Sequence, residues 1–380
     1  MASSPLTTST HEELRKAVRS FAEERIRPIA KQCDQERRHP TEIVREAAKL
    51  GIVGPMIPEQ YGGAGADLLS AAIIAEELTA VGSAVGITVS SATLGMEMIE
   101  AFGTEEQKRA LLVPATKGDA ISGIAITEPD AGSDVASLST FAEKVPDGWR
   151  INGRKVFISN GDIAKNVIVL AKTERRSGHD TMSCFVVPTG TPGYHATRMT
   201  TLGWRANDTA ELVLEDLVVP PTALLGIEGR GFLQVMKFFD RARVLAAANA
   251  LGFAQGAMEL GIAYAKARRQ FGKPIADFQG VRFHIADMET KVAGARLLVY
   301  AAAVAYDRGE NTTKEAAMAK LVASEVAEEV TSISFQLHGG YAFTPDFEIE
   351  RFYRDVRIMK IVEGTSEIQK VIIAREALGT

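Results

Sequence analysis

Apolar positions recur with a helical period at the start of the chain, with a period nearer two in the middle, and with a helical period again towards the end. Leu14, Val18, Phe21, Arg25 and Ile29 stand at near-helical spacing, which predicts an amphipathic helix. Thr10 with Glu13 predicts its capping box, and Pro28 and Pro40 punctuate its far end. Helical patterns continue over 43–50, 68–81 and 96–112, broken by the turn Gly62-Gly63-Ala64-Gly65.

Near Ile121 the pattern changes. Trp149-Arg150-Ile151 and Lys155-Val156-Phe157-Ile158 flank Asn152-Gly153, a hairpin signal because both turn residues accept positive φ. Short β-rich runs come next at 167–170, 184–187 and 212–219, separated by Gly, Pro and Asp. From Gly229-Arg230-Gly231 onward, long helices are predicted over 232–267, 278–307, 313–337 and 365–377. Thr312 with Glu315 and Ser366 with Gln369 offer capping boxes for two of them. The expected class is therefore α+β in three domains. An N-terminal α-helical domain spans 1–120, a middle antiparallel β domain 121–230, and a C-terminal four-helix-bundle-like α domain 231–380.

Composition narrows the function classes. The chain has 380 residues, 46% hydrophobic and 24% charged, enough for two or three cores and unlike a disordered chain. A net charge of −5 gives no electrostatic reason to expect nucleic acid or an anionic membrane as partner. Cys33 and Cys184 are the only cysteines and read as buried thiols of a reducing compartment. The start, Met1-Ala2-Ser3-Ser4-Pro5, lacks the basic and apolar regions of a secretory signal. The cytoplasm is the expected setting. The most apolar stretch, 244–265, carries Asn249, Gln255 and Glu259, which favours a buried bundle helix over a membrane span.

Three segments could carry chemistry. Thr127-Glu128-Pro129-Asp130-Ala131-Gly132-Ser133-Asp134 is rich in small residues and backbone N–H groups, so it could approach a planar or anionic ligand; it could equally be a plain turn. Arg268-Arg269-Gln270-Phe271-Gly272-Lys273-Pro274 could grip a pyrophosphate or simply complement a helix C-terminus. Glu363, on a glycine-containing link ahead of a helix, could serve as a base or as a favourable dipole contact. The six histidines, His11, His39, His179, His195, His284 and His338, never fall into a metal-ligand pattern, so no metal site is predicted. A dinucleotide fingerprint, a nucleophile elbow and a phosphate loop are missing too.

The order and spacing of these motifs resemble the acyl-CoA dehydrogenase family over nearly the whole chain. The blocks that carry the resemblance are Ile126-Thr127-Glu128-Pro129 to Gly132-Ser133-Asp134, Lys155-Val156-Phe157-Ile158-Ser159-Asn160-Gly161, Arg268 to Gly272, Gln336-Leu337-His338-Gly339-Gly340, Glu350-Arg351-Phe352-Tyr353-Arg354-Asp355 and Glu363-Gly364-Thr365. The resemblance implies that FAD lies between the middle sheet and the C-terminal bundle. Ile124, Ala125, Ile126, Thr127, Gly132 and Ser133, with Phe157, Ile158 and Ser159, would line the isoalloxazine. Arg268, Gln270, Phe271 and Gln279, with Gln336, Leu337, Gly339 and Gly340, would reach the adenine dinucleotide across a dimer interface. Thr365 and Glu367 would meet the cofactor in the active subunit, and Ser133, Asp240, Arg243 and Gly364 would touch the thioester substrate. A tetramer built as a dimer of dimers is implied.

The implied reaction is oxidation of an acyl-CoA, or another acyl thioester, to the trans-2-enoyl thioester. Glu363 would abstract the α-proton while flavin N5 accepts the β-hydride, and an electron-transferring flavoprotein would take the electrons. A main-chain N–H at the base and a flavin ribityl hydroxyl would stabilise charge on the thioester oxygen. Some family members carry the base one residue before the position of Arg243; here that residue is Ala242, which cannot act as one. Two residues depart from the family pattern. Val362 stands where Tyr is frequent and Phe157 where Trp is common, which implies a bulkier, branched or differently seated acyl group. Three other readings stay open: an acyl-CoA oxidase-like enzyme, a carrier-protein-linked tailoring desaturase with shifted regiochemistry, and a non-enzymatic flavoprotein of the same fold.

Overall fold

The computed structural model describes residues 4–176, 178 and 181–379. Residues 1–3, part of the start read for a secretory signal, and His179 lie outside the described residues.

The first helical segment is α1 (Ser9–Phe21), a π-turn (Ala22–Ile26) and α2 (Arg27–Glu36) in one run. Pro28 sits in the first turn of α2, where its missing N–H costs least, and the widened turn ahead of it relieves the clash with the preceding carbonyl. The expected Thr10–Glu13 capping box is not the one formed. The cap is Thr8, whose side chain accepts from His11 N–H while the His11 ring receives the Thr8 N–H; a ring nitrogen does here what a glutamate oxygen does in the usual box. Next come α3 (Thr41–Lys49), α4 (Leu68–Gly82), α5 (Ala84–Ser90), α6 (Met96–Phe102) and α7 (Glu105–Thr116). Every residue of α4 except Ser70 is buried, because the mostly apolar helix lies between the other N-terminal helices and the C-terminal bundle, with its Glu76 and Glu77 paired to arginines.

The middle segment forms β1 (Ser122–Ala125), β2 (Phe141–Val145), β3 (Gly148–Ser159), β4 (Asn166–Lys172), β5 (Met182–Pro188), β6 (Tyr194–Arg198), β7 (Thr209–Val219) and β8 (Leu224–Leu225). They make one sheet in the order β6-β7-β3-β2-β4-β5-β8, with β1 also on β4. Pairing is antiparallel except where β1, and β2 at one residue, run parallel to β4. Both faces of β4 and β5 are covered, which is why their sequences read as apolar runs without alternation.

The predicted Asn152-Gly153 hairpin is not a turn. Strand β3 runs straight through it with a bulge between Ile151 and Gly153, where a Cβ on Gly153 would meet Thr140 Oγ1 at 2.3 Å. The β2–β3 turn is instead Pro146-Asp147 with Gly148 at φ +137°, a Pro-Asp-Gly signal that is itself a turn former.

The C-terminal segment is α8 (Gly231–Ala267), a small hairpin of β9 (Arg269–Gln270) and β10 (Lys273–Pro274), α9 (Gln279–Asp307), α10 (Thr313–His338), α11 (Ile349–Val356) and α12 (Ser366–Leu378). Helices α8, α9 and α10 pack on one another, α12 lies on α10, and α4 covers α8 and α9. Close approach of α4 and α8 depends on Gly252 and Gly256: a Cβ on either would stand 2.5 Å or less from the Glu76 or Ala80 carbonyl. Two predicted caps differ. Thr312 makes no side-chain cap on α10. For α12 the cap is Thr365, one residue earlier than expected, leaving Gln369 free to bond elsewhere. Among the described residues no helix is long and apolar enough to cross a membrane.

Asp355, buried on α11, joins the three segments. It accepts from Ser83 Oγ at 2.6 Å, Ala84 N–H at 3.3 Å and Trp204 N–H at 2.6 Å.

Candidate active site

A cavity of about 180 Å³ opens where the N-terminal helices, the sheet and the bundle meet. Helix α8 contributes Arg241, Ala242, Leu245, Ala246 and Asn249, one face at helical spacing. Ala71, Ile74 and Ala75 come from α4 and Ile87 from α5; Met96 and Glu97 come from α6, and Ser159 ends β3. Val362 and Glu363 close it from the link before α12.

Glu363 is mounted unusually. It has φ +55° and precedes Gly364 at +92°; the left-handed region is costly for a side chain of this size. Gln369 Nε2 donates to the Glu363 carbonyl at 3.1 Å and to the Gly364 carbonyl at 2.8 Å. Lys320 Nζ donates to the same Gly364 carbonyl at 2.7 Å. The carboxyl oxygen Oε2 is buried without a hydrogen-bond partner, as is Arg243 Nε. Burial pushes the Glu363 carboxyl up to about 7, opposed by Arg243 and Lys320 and assisted by Glu97. Burial likewise brings the Lys320 ammonium down to about 8, with Glu363 resisting that change.

The residues expected along the flavin form two groups. Ala125, Ile126 and Ile158 are buried in the sheet's cores, with Ile124 partly so, so they offer backbone more than side chain. Thr127 is half-buried, Gly132 and Ser133 are exposed, and nothing stands within 4 Å of a Cβ on Gly132. Phe157 is 65% exposed at φ +60°. Ser159 lines the cavity and its Oγ accepts from Asn207 Nδ2 at 3.2 Å. An exposed aromatic, an open glycine and a hydroxyl at the cavity wall suit a planar, polar-edged ring system.

The loop carrying Thr127 is held from beneath. Lys155 Nζ, fully buried, donates to the Ile126 carbonyl and to Glu128 Oε1, both at 2.9 Å. Glu128 also accepts from the Ser139 and Thr140 N–H groups. Burial alone would raise the Glu128 carboxyl, but Lys155 and these donors hold it at about 2.

Arg268, Gln270, Leu337, Gly339 and Gly340 meet at a second, more open cavity of about 450 Å³, with Tyr341 under the Arg268 guanidinium at 5.4 Å. It shares no lining residue with the cavity of Glu363. Phe271 is 93% exposed beside it in sequence, and Gln279 and Gln336 are exposed as well. Within one chain, then, these residues do not join Phe157 and Glu363. A guanidinium, an aromatic face and open glycine backbone fit a phosphate-bearing nucleotide. Thr365 caps α12, Glu367 is exposed, and Asp240 lies 3.5 Å from Arg243 and accepts from Thr313 Oγ1.

Reasoning from sequence missed Trp204, Glu97, Arg241, Asn249 and Lys320. Lys320 was detectable as a cation on the apolar face formed by Ala316, Ala319, Ala323 and Ala327. Asn249 was visible as a polar residue inside the apolar stretch 244–265, though not as part of a site; Trp204, Glu97 and Arg241 carry no local signal.

A helical, a sheet and a helical domain converge on a cavity that holds one unpartnered carboxylate oxygen, Glu363 Oε2, with an exposed aromatic and an open glycine on the sheet side. Three domain profiles match in order: the N-terminal domain of acyl-CoA dehydrogenase over 8–119, the middle domain over 123–217 and the C-terminal domain over 229–378. The chain is 42% identical to an acryloyl-CoA reductase (NADH) of Anaerotignum propionicum, covering 98% of this chain and 95% of that one. It is also 42% identical to a short-chain specific acyl-CoA dehydrogenase of Clostridium acetobutylicum, with 97% of each covered. A solved chain from work on the electron transferring flavoprotein of Acidaminococcus fermentans superposes with TM-score 0.96 at 38% identity, covering 98% of this chain and 99% of that one. The chain belongs to the acyl-CoA dehydrogenase family, oxidoreductases that bind FAD.

Proposed function

We propose that this protein removes the α and β hydrogens of a short or branched acyl-CoA, giving the trans-2-enoyl thioester, with Glu363 as the base. The observation that carries the reading is the Glu363 carboxyl, buried in the cavity with Oε2 unpartnered and its pKa raised to about 7. Such a group is half ionised near neutral pH and strong enough, once charged, to take a proton from a weak carbon acid held against it. Ala242, which lines the same cavity, cannot take that role, and the other carboxylate there, Glu97, has Arg241 at 4.0 Å. Bound FAD supplies the hydride acceptor. The chain's part is position and dielectric: the apolar wall of Ala71, Ile74, Ala75 and Leu245 excludes water from the acyl chain. Arg243 lies close enough to influence the Glu363 charge.

The residues that would hold FAD are Thr127, Gly132, Phe157 and Ser159 at the ring. Arg268, Gln270, Phe271, Gln279, Gln336, Leu337, Gly339 and Gly340 of a second subunit would hold the nucleotide end. Exposure of Phe271, Phe343 and Tyr341 on the bundle supports burial against another copy, and a dimer of dimers is the assembly we infer. Domain limits at 120 and 230, a cytoplasmic setting and an electron-transferring flavoprotein as acceptor belong to the same reading. Similarity to a reductase keeps the reverse, enoyl-reducing direction as a second reading, for which the same residues would deliver the proton.

Replacement of Glu363 by Gln tests the base. The variant is expected to stay yellow, folded and able to bind acyl-CoA while kcat falls by about 10²- to 10⁴-fold, measured as enoyl-CoA formed with an artificial electron acceptor. Turnover above a small fraction of wild type would refute the assignment.

A further inference from the structure

Lys320 is fully buried in the middle of α10, among alanines that pack the bundle core. Lysine is almost never buried without a paired anion, since desolvating an ammonium is expensive. Among the described residues no carboxylate comes within ion-pairing distance of it; its hydrogen bond goes to the Gly364 carbonyl at 2.7 Å. That carbonyl belongs to the link on which Glu363 stands, the one with two consecutive left-handed residues. Lys320 thus reaches from the core to hold a strained turn, and Gln369 grips the same turn from α12.

The groups facing Glu363 come from three helices: Lys320 on α10, Arg243 on α8 and Glu97 on α6. Arg243 is partly engaged by Asp240 at 3.5 Å and by the Phe239 ring at 5.3 Å, with Arg375 also near it. Glu97 has Arg241 at 4.0 Å. Glu367 lies towards Lys320 from the solvent side. Lys320 is therefore the cation in this set that no carboxylate contacts.

We propose that Lys320 is a positioning residue for the base: from the core it locks the Glu363–Gly364 link in its left-handed turn through the Gly364 carbonyl, and from beyond ion-pairing distance its ammonium biases towards ionisation the carboxyl that must accept a proton. This rests on the reading of Glu363 as the base. A buried cation acting on Glu363 through the low-dielectric core favours the carboxylate, so removing Lys320 raises the pH at which Glu363 ionises, and the acid limb of the rate profile must move up.

The test compares holoenzyme of wild type, Lys320→Met, Lys320→Gln and Glu363→Gln, with FAD content and kcat/KM for butyryl-CoA measured from about pH 5.5 to 9. Lys320→Met is expected to retain FAD and to shift the acid limb upward by about one unit. The loss should be about tenfold on that limb and much smaller on the plateau. Lys320→Gln, which keeps a donor for the Gly364 carbonyl but no charge, should show the same displaced limb with a higher plateau than Lys320→Met. An unmoved limb in either variant that binds FAD overturns the proposal, as does loss of FAD with an unmoved limb in the remaining active fraction. If Glu363→Gln is inactive while the limb stays put, Lys320 alone is at fault. If Glu363→Gln turns over, the base assignment fails and this proposal with it.

Discussion

Val362 and Glu363 are neighbours in the chain that serve the cavity in different ways. Glu363 stands out in the sequence by its place ahead of a capped helix, but its burial, its left-handed backbone and its raised pKa depend on α8, α10 and α12 closing around it. Val362 stands out as a small residue where a larger one is frequent, and it does line the cavity of Glu363. A branched aliphatic side chain there leaves width that a phenol ring would fill. Branched short acyl-CoAs are therefore expected to react with kcat/KM at least equal to that of medium straight chains. Val362→Tyr should lower the branched-substrate value by about tenfold or more, the range a filled methylene-sized space produces. Parallel steady-state kinetics on the two substrate types check both statements, and a clear wild-type preference for medium straight chains would count against the branched seat.

At the level of elements, helix spans in the last third were legible because long apolar stripes without proline admit few alternatives. Caps and turns were less so. A capping box read from spacing alone ignores which residue has the extended backbone that capping needs, and in α1 and α12 that residue lies one or two positions earlier than spacing suggested. Asn152-Gly153 misled for a related reason: a dipeptide that permits a turn also permits a bulge, and the choice was made by pairing with β7 and by Thr140 pressed against Gly153. The loop from Ile126 to Ser133 depends on a tertiary pair, Lys155 with Glu128. Lys155→Met strands a buried carboxylate and should destabilise the protein by about 3–5 kcal/mol and weaken FAD binding by the apoprotein. Adding Glu128→Gln should recover part of the stability. Denaturant unfolding and FAD titration by fluorescence measure the two effects.

Across the whole molecule, the domains are tied by polar contacts buried between helices. Glu76 and Glu77 of α4 face Arg15 and Arg19 of α1 and Arg296 and Tyr300 of α9, with Arg296 donating to Glu76 at 2.8 Å and to Gln255 of α8 at 2.7 Å. A network of this kind is costly to break singly, because the remaining charge is left without a partner in a dry interface. Arg296→Met should lower stability by about 3–5 kcal/mol, read from chemical denaturation, with a smaller loss in the Arg296→Met/Glu76→Gln double variant. The residues by themselves determined the sequence of helical, β and helical segments, since hydrophobic period is a local property that survives any packing. They also determined the family, because six separated motifs stand in one order, and the identity of the carboxylate offered as base. Tertiary structure decided what that carboxylate is: buried under the influence of a partly engaged arginine and of a lysine that no carboxylate contacts, held in a left-handed turn from α10 and α12. It also decided that Arg268, Gln270, Leu337, Gly339 and Gly340 gather at a cavity separate from that of Glu363. These properties are set by the dielectric and by charges from helices distant in sequence, and no local pattern encodes either.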